Sequence, residues 1–288
     1  MNVHDLKNSF QYAMHGNGAY KGLRQTNTLD AMLYWYGRGV HIFEIDMART
    51  SDDRYVAVAH TVDRKSMIRL EIPEEPRAYD YGWFMSQKLF PLTTGGLTPL
   101  SLESIVEFLE QHMDCVIMLD LFGFFTEQDI EHFLDALDPL VDGKPQLRDR
   151  LLLEAYNRTM SRAIFRRSDS YCIIYCARYE GNQEKDGFVP VDDLLEYNIS
   201  FVSYPWMYHK LYPSEIKAYV DAGFTVFSRT RYNFQDRLLK AEGVSVNIVA
   251  YRFDGLKIMV QWPLYMLSCI RRMLSKWKMK KLIGRGEV

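Results

Sequence analysis

Glu44 and Asp46 are two residues apart in the run VHIFEIDM, and a strand's period of two puts both on one face. On an apolar barrel interior, two ionised carboxylates would each cost several kcal/mol unless compensated. A divalent cation supplies that compensation, and hard oxygen ligands favour Mg²⁺ or Ca²⁺. Asp120, inside the run CVIMLDLF, would complete a three-carboxylate set. A lone Glu-x-Asp also occurs on solvated faces or paired with a cation such as Arg49, so the joint occurrence with Asp120 carries the argument. His15 ends the run FQYAMH and His60 ends VAVAH. Two imidazoles beside a hard cation suit phosphoester cleavage, one taking a proton from the nucleophile and the other giving one to the leaving oxygen.

These residues converge only if particular elements position them. Eight short apolar runs recur along the chain, at 10–14, 40–47, 115–122, 150–156, 171–177, 199–204, 224–229 and 244–251. Helical periodicity lies between them, at 27–38, 101–111, 127–140, 159–167, 191–197, 213–222 and 233–241. Ser101 with Glu103, and Pro213-Ser214-Glu215, are helix starts. Strands rich in β-branched and aromatic residues, each followed by a helix, predict a parallel sheet. Eight such units over this length fit an α/β fold of the (β/α)8 TIM barrel type, in which side chains at strand C-terminal ends share one pocket. An open doubly wound sheet is the competing arrangement, but His15-Gly16-Asn17-Gly18 fits neither the dinucleotide nor the P-loop spacing.

One connection exceeds what a barrel needs. Residues 61–98 contain no clear βα unit and are rich in charge and aromatics, which predicts a lid-like insertion beside the second strand. The expected organisation is a barrel domain over 1–254 and a basic tail over 255–288.

The 288 residues carry 35 Lys and Arg against 37 Asp and Glu, a net charge of -2 that argues against a generally basic nucleic-acid surface. Eight of the basic residues and one acidic residue fall in 255–288, leaving 27 basic and 36 acidic in the body. The stretch 258–270 is almost wholly apolar but too short to cross a bilayer, and from Arg271 large apolar residues alternate with cations. That composition predicts a basic amphipathic helix contacting an anionic membrane surface through residues 256–285, with a partner-protein helix or plain core packing as alternatives. Cys115, Cys172, Cys176 and Cys269 read as free thiols. MNVHDLKNSF lacks the apolar core of a signal peptide, so the expected location is cytoplasmic, peripheral at the inner membrane face.

The order of motifs resembles the glycerophosphodiester phosphodiesterases of the phospholipase-C-like phosphodiesterase superfamily. Their opening pattern of His-Arg-Gly, Glu-Asn-Thr, Glu-x-Asp and His-Asp is similar to the segment from His15 to His60, and the likeness extends through TPLSLESIVEFL, CVIMLDLF and the segment AGFTVFSRTRYNFQDRLLKAEGVSVNIVAY. The resemblance implies a TIM barrel hydrolysing a phosphodiester with a divalent cation, with His15 and His60 as acid/base pair and Glu44, Asp46 and Asp120 as metal ligands. It further implies a glycerol-like or sugar-like substrate moiety whose hydroxyl attacks the phosphorus. Five departures stand out, two of which remove a phosphate-contacting cation. His-Arg-Gly reads His15-Gly16-Asn17, Glu-Asn-Thr reads Thr26-Asn27-Thr28, His-Asp reads His60-Thr61, Glu-x-Lys reads Asp120-Leu121-Phe122, and Trp-Thr reads Arg229-Thr230. Arg24 or Arg229 would restore the missing positive charge. Two other readings stay open: a catalytically weak, membrane-associated scaffold barrel of envelope or polysaccharide biosynthesis, and a lyase-like relative that releases a cyclic phosphate.

Overall fold

A computed structural model of the chain describes residues 2–8, 10–21, 23–58, 79–90, 94–168, 170–177, 189–230 and 233–250. His60, the first part of the 61–98 segment and the 255–288 tail, with Cys269, therefore lie outside the described residues.

The strands are β1 (Gln11–Met14), β2 (Ile42–Arg49), β3 (Tyr55–Ala57), β4 (Val116–Asp120), β5 (Leu151–Ala155), β6 (Cys172–Cys176), β7 (Phe201–Pro205), β8 (Thr225–Arg229) and β9 (Val246–Val249). Eight of them run parallel, and β1 pairs with both β2 and β9, closing the sheet into a (β/α)8 barrel. The ninth, β3, folds back antiparallel on the end of β2, pairing Met47 with Ala57. A parallel barrel strand is covered on both faces, so its sequence is continuously apolar. β4 obeys this from Val116 to Leu119 and departs from it only at its last residue, Asp120, which is buried like the rest. In β2 the same burial takes in Glu44 and Asp46.

The covering helices are α1 (Leu29–Tyr36), α2 (Tyr81–Ser86), α3 (Leu102–Gln111), α4 (Glu127–Val141), α5 (Pro145–Arg148), α6 (Arg158–Arg167), α7 (Val191–Leu195), α8 (Tyr208–Leu211), α9 (Pro213–Asp221) and α10 (Asp236–Ala241). Their starts are written locally. Ser101 accepts the Ser104 amide, Asn157 accepts that of Met160, and Thr126 with Asp129 forms a reciprocal capping box. From these ends α3 buries Leu102, Ile105, Val106, Phe108 and Leu109 against the barrel.

The described part of the insertion has a small core of its own. Asp80 caps α2, Leu89 and Leu97 bridge, and Phe84, Leu89, Phe90 and Leu97 pack with Leu23, Val56 and Val58. This ties the segment to β3 and to the loop after β1.

Candidate functional site

The C-terminal end of the barrel collects buried acid. Register pairs Asp46 with Asp120, and Asp120 with Glu154, so three carboxylates form one row across β2, β4 and β5. Glu44 lies one layer deeper, yet its longer side chain brings a carboxylate oxygen within 4.8 Å of those of Asp120 and Glu154. Asp46 stands beside this group and is held by Asn27: the Asn27 Nδ2 donates to Asp46 Oδ2 at 2.7 Å, and the Asp46 amide donates to Asn27 Oδ1 at 3.0 Å.

Concentrated charge disturbs Glu44 and Glu154. Burial, then repulsion from Asp46, Glu154 and Asp120, pushes the Glu44 carboxyl well above the usual carboxylate range, against the opposing effect of the Gly16 amide that donates to Glu44 Oε2 at 2.5 Å. Glu154 is raised to about 7 by burial and Asp120, while Arg229, Tyr156 and Cys176 pull it down. The Tyr156 hydroxyl donates at 2.7 Å towards both Asp120 Oδ1 and Glu154 Oε2, and the Cys176 thiol donates to Glu154 Oε2 at 3.2 Å. Burial pushes that thiol far up, as it does the Tyr156 phenol. Glu154 Oε1 is buried with no hydrogen-bond partner. A buried carboxylate oxygen without a hydrogen bond, on an acid grouped within 4.8 Å of Glu44 and Asp120, fits a divalent cation held by these three, with Asp46 alongside.

The loop after β1 shapes the other half of the site. His15–Asn17 form a single 3-10 turn with Gly16 at φ +55°, where an added Cβ would lie 2.6 Å from Gln25 Cβ. In this loop conformation a side chain after His15 is strained, so an arginine does not fit there without a shift of the loop. Gln25 Nε2 lies 2.7 Å from His15 Nε2, and that imidazole nitrogen is 3.8 Å from Glu44 Oε1. His15, Arg24, Gln25, Arg229, Thr230 and Ala250 line a cavity of about 220 Å³. Arg229 is embedded; burial works against its charge, but the acids around it, Cys176, Tyr156, Glu154 and Asp120, outweigh burial and raise its pKa.

The structure thus brings Glu44 and Asp120 into one group, puts Asp46 next to it, and puts Arg24, Arg229 and His15 on one cavity. Sequence reasoning missed Glu154, Tyr156, Gln25 and the role of Asn27. Glu154 carried the same signal as Asp120, a single acid near the end of an apolar run, in RLLLEAY.

The architecture is a (β/α)8 barrel with an arginine-lined cavity and a buried carboxylate group at the strands' C-terminal ends. No protein-family model matches the sequence, and no curated protein matches it. Solved structures share the fold. A glycerophosphodiester phosphodiesterase from Parabacteroides distasonis superposes with a TM-score of 0.66 at 15% identity, over 84% of this chain and 93% of that one. A phosphodiesterase from Oleispira antarctica, solved with the product sn-glycerol-3-phosphate, gives 0.65 at 13% over 84% and 93%. The glycerophosphodiester phosphodiesterase from Thermotoga maritima gives 0.59 at 14% over 84% and 94%.

Proposed function

We propose that this barrel is a cation-dependent phosphodiester hydrolase acting on glycerophosphodiester-like substrates. The observation that carries the reading is the adjacency of two unlike surfaces. A carboxylate group fit for a cation abuts a cavity carrying two arginines, and His15 belongs to both, lining the cavity while standing 3.8 Å from Glu44. A phosphodiester needs that pairing: cations to receive its non-bridging oxygens, and titratable groups to move protons at the bridging ones.

In this reading Glu44, Asp46 and Asp120 hold the ion, joined by Glu154, and Mg²⁺ and Ca²⁺ are the candidates. When bound, the cation neutralises charge developing on the phosphoryl oxygens. Arg24 and Arg229 receive the phosphate from the cavity side. One imidazole of the His15/His60 pair takes the proton of a hydroxyl neighbouring the phosphate as that oxygen bonds to phosphorus, while the other protonates the departing alkoxide. Water then opens the cyclic phosphate. A glycerol-like or sugar-like alcohol supplies the attacking hydroxyl.

The barrel spans 1–254, with 61–98 as a cover over the pocket, and residues 256–285 seat it on an anionic membrane, so that lipid-derived diesters are within reach at a cytoplasmic membrane face. Product analysis on a panel of glycerophosphodiesters, with and without chelator and with Glu44→Gln, tests the chemistry. Release of a phosphomonoester that chelator and the variant both abolish supports the reading; silence across the panel overturns it. Liposome sedimentation with and without residues 271–288 tests the tail, and equal pelleting of the two chains removes the membrane attachment.

A further inference from the structure

The opposite end of β2 and β4 carries a second cluster of donor atoms, of different chemistry. His41 directly precedes β2 and Asp114-Cys115 directly precede β4, and the Val116 amide donates to the His41 carbonyl at 2.8 Å, so the two strand entries are zipped together. A ring nitrogen of His41, a carboxylate oxygen of Asp114 and Cys115 Sγ all lie within 4.8 Å of one another, and His41 Nδ1 is 3.0 Å from Asp114 Oδ2. With bonds of about 2.0 Å to nitrogen and oxygen and 2.3 Å to sulfur, tetrahedral ligand atoms stand roughly 3.3–3.6 Å apart; the His41–Asp114 pair is near that spacing, and the thiol, 4.0 Å from Asp114 Oδ1, would close in on binding. An outer layer is also built. Tyr36 OH donates to the other Asp114 oxygen, Oδ1, at 3.2 Å, and the Tyr36 ring meets His41 edge-on at 5.6 Å. Cys115 is buried, whereas His41 and Asp114 are 37% and 52% exposed, leaving an entry path for an ion from solvent.

We propose that His41, Asp114 and Cys115 form a second cation site on the N-terminal face of the barrel, selective for a borderline-soft ion of the Zn²⁺ class. The thiolate and imidazole donors set this selectivity, since hard ions such as Mg²⁺ prefer the all-oxygen set at the other end. The site is independent of the proposed hydrolysis. Its fourth position is left to water.

The test uses the full chain, stripped with chelator and titrated with Co²⁺ alone as a coloured stand-in, then with Zn²⁺. A thiolate-to-cobalt charge-transfer band should appear and be displaced by Zn²⁺. The band should vanish in Cys115→Ser. In His41→Gln, whose side chain is half exposed and whose thiol is intact, Co²⁺ affinity should fall by more than the roughly 10–100-fold that loss of an outer partner costs, and Tyr36→Phe should fall within that range. Cys176→Ser and Glu154→Gln should leave the band unchanged. A wild-type protein without the band, a band that survives both Cys115→Ser and His41→Gln, or one abolished by Cys176→Ser overturns the proposal.

Discussion

The two ends of β2 and β4 use the same strands for opposite purposes. At the C-terminal end, Glu44 and Asp120 are sealed from water beside Glu154, and burial, then neighbouring acidic charge, pushes the Glu44 and Glu154 carboxyls upwards. At the N-terminal end, His41 and Asp114 form a half-exposed pair, and only Cys115 is buried, its thiol raised to about 12 by burial and then by Asp114. A barrel can carry unfavourable charge where its loops bring compensating groups, and those loops follow the C-terminal ends. At the C-terminal end the acids are buried together and share a few donors, whereas at the N-terminal end the acid keeps contact with water, where a charge costs little.

Neutralising one group at each end separates the two ends most strongly. Glu44→Gln should reduce turnover by about 10³-fold, on the scale of losing a principal electrostatic element of a site, while His41→Gln leaves turnover within about twofold; steady-state kinetics of both variants checks this. Glycines sharpen it next. Gly16→Ala combines φ +55° with a 2.6 Å approach to Gln25 and should cost about 3 kcal/mol, whereas at Gly39, φ +75° with nothing within 4 Å, alanine meets only the backbone term of about 1 kcal/mol. Denaturant unfolding of the two variants measures the gap.

A smaller effect follows from protonation. With folded-state values above the ordinary 4.5, the native protein holds protons on Glu44 and Glu154 that the unfolded chain has released, so stability falls as pH rises from about 4.5 through about 7. Thermal unfolding in chelator should show that decline, and Mg²⁺ or Ca²⁺ should remove it; Glu154→Gln should flatten it without added ion. The smallest effect belongs to the N-terminal end, where Asp114→Asn in metal-free protein should change stability by less than about 1 kcal/mol, as for an exposed pair.

All eight barrel strands were legible in the sequence because double-sided burial writes itself as mostly apolar runs, broken only by a few buried polar residues such as Glu44 and Glu154. Helix starts were legible where a cap is local, as at Ser101. The expected start at Asn27 moved to Leu29 because Asn27 adopts φ +51° to reach Asp46, a tertiary demand with no sequence period. Three short helices, α2, α5 and α8, went unforeseen for want of enough turns to show periodicity. Glu44, Asp46 and Asp120 were singled out as acids inside apolar runs. Glu154 was passed over although its run is alike, since its neighbours are set by β5 lying beside β4. Gln25 was invisible for another reason: its contact with His15 depends on left-handed backbone at both Gly16 and Gln25.

The most direct test is back-titration of chelated full-length protein with Mg²⁺ or Ca²⁺ while hydrolysis of a glycerophosphodiester is followed, for the wild type and Glu154→Gln. Saturable recovery in the wild type with none in the variant at the same ion concentrations is the predicted result. A chelated protein that keeps its full rate, or two recovery curves that coincide, would contradict the claim that these strand-end carboxylates hold a catalytic cation.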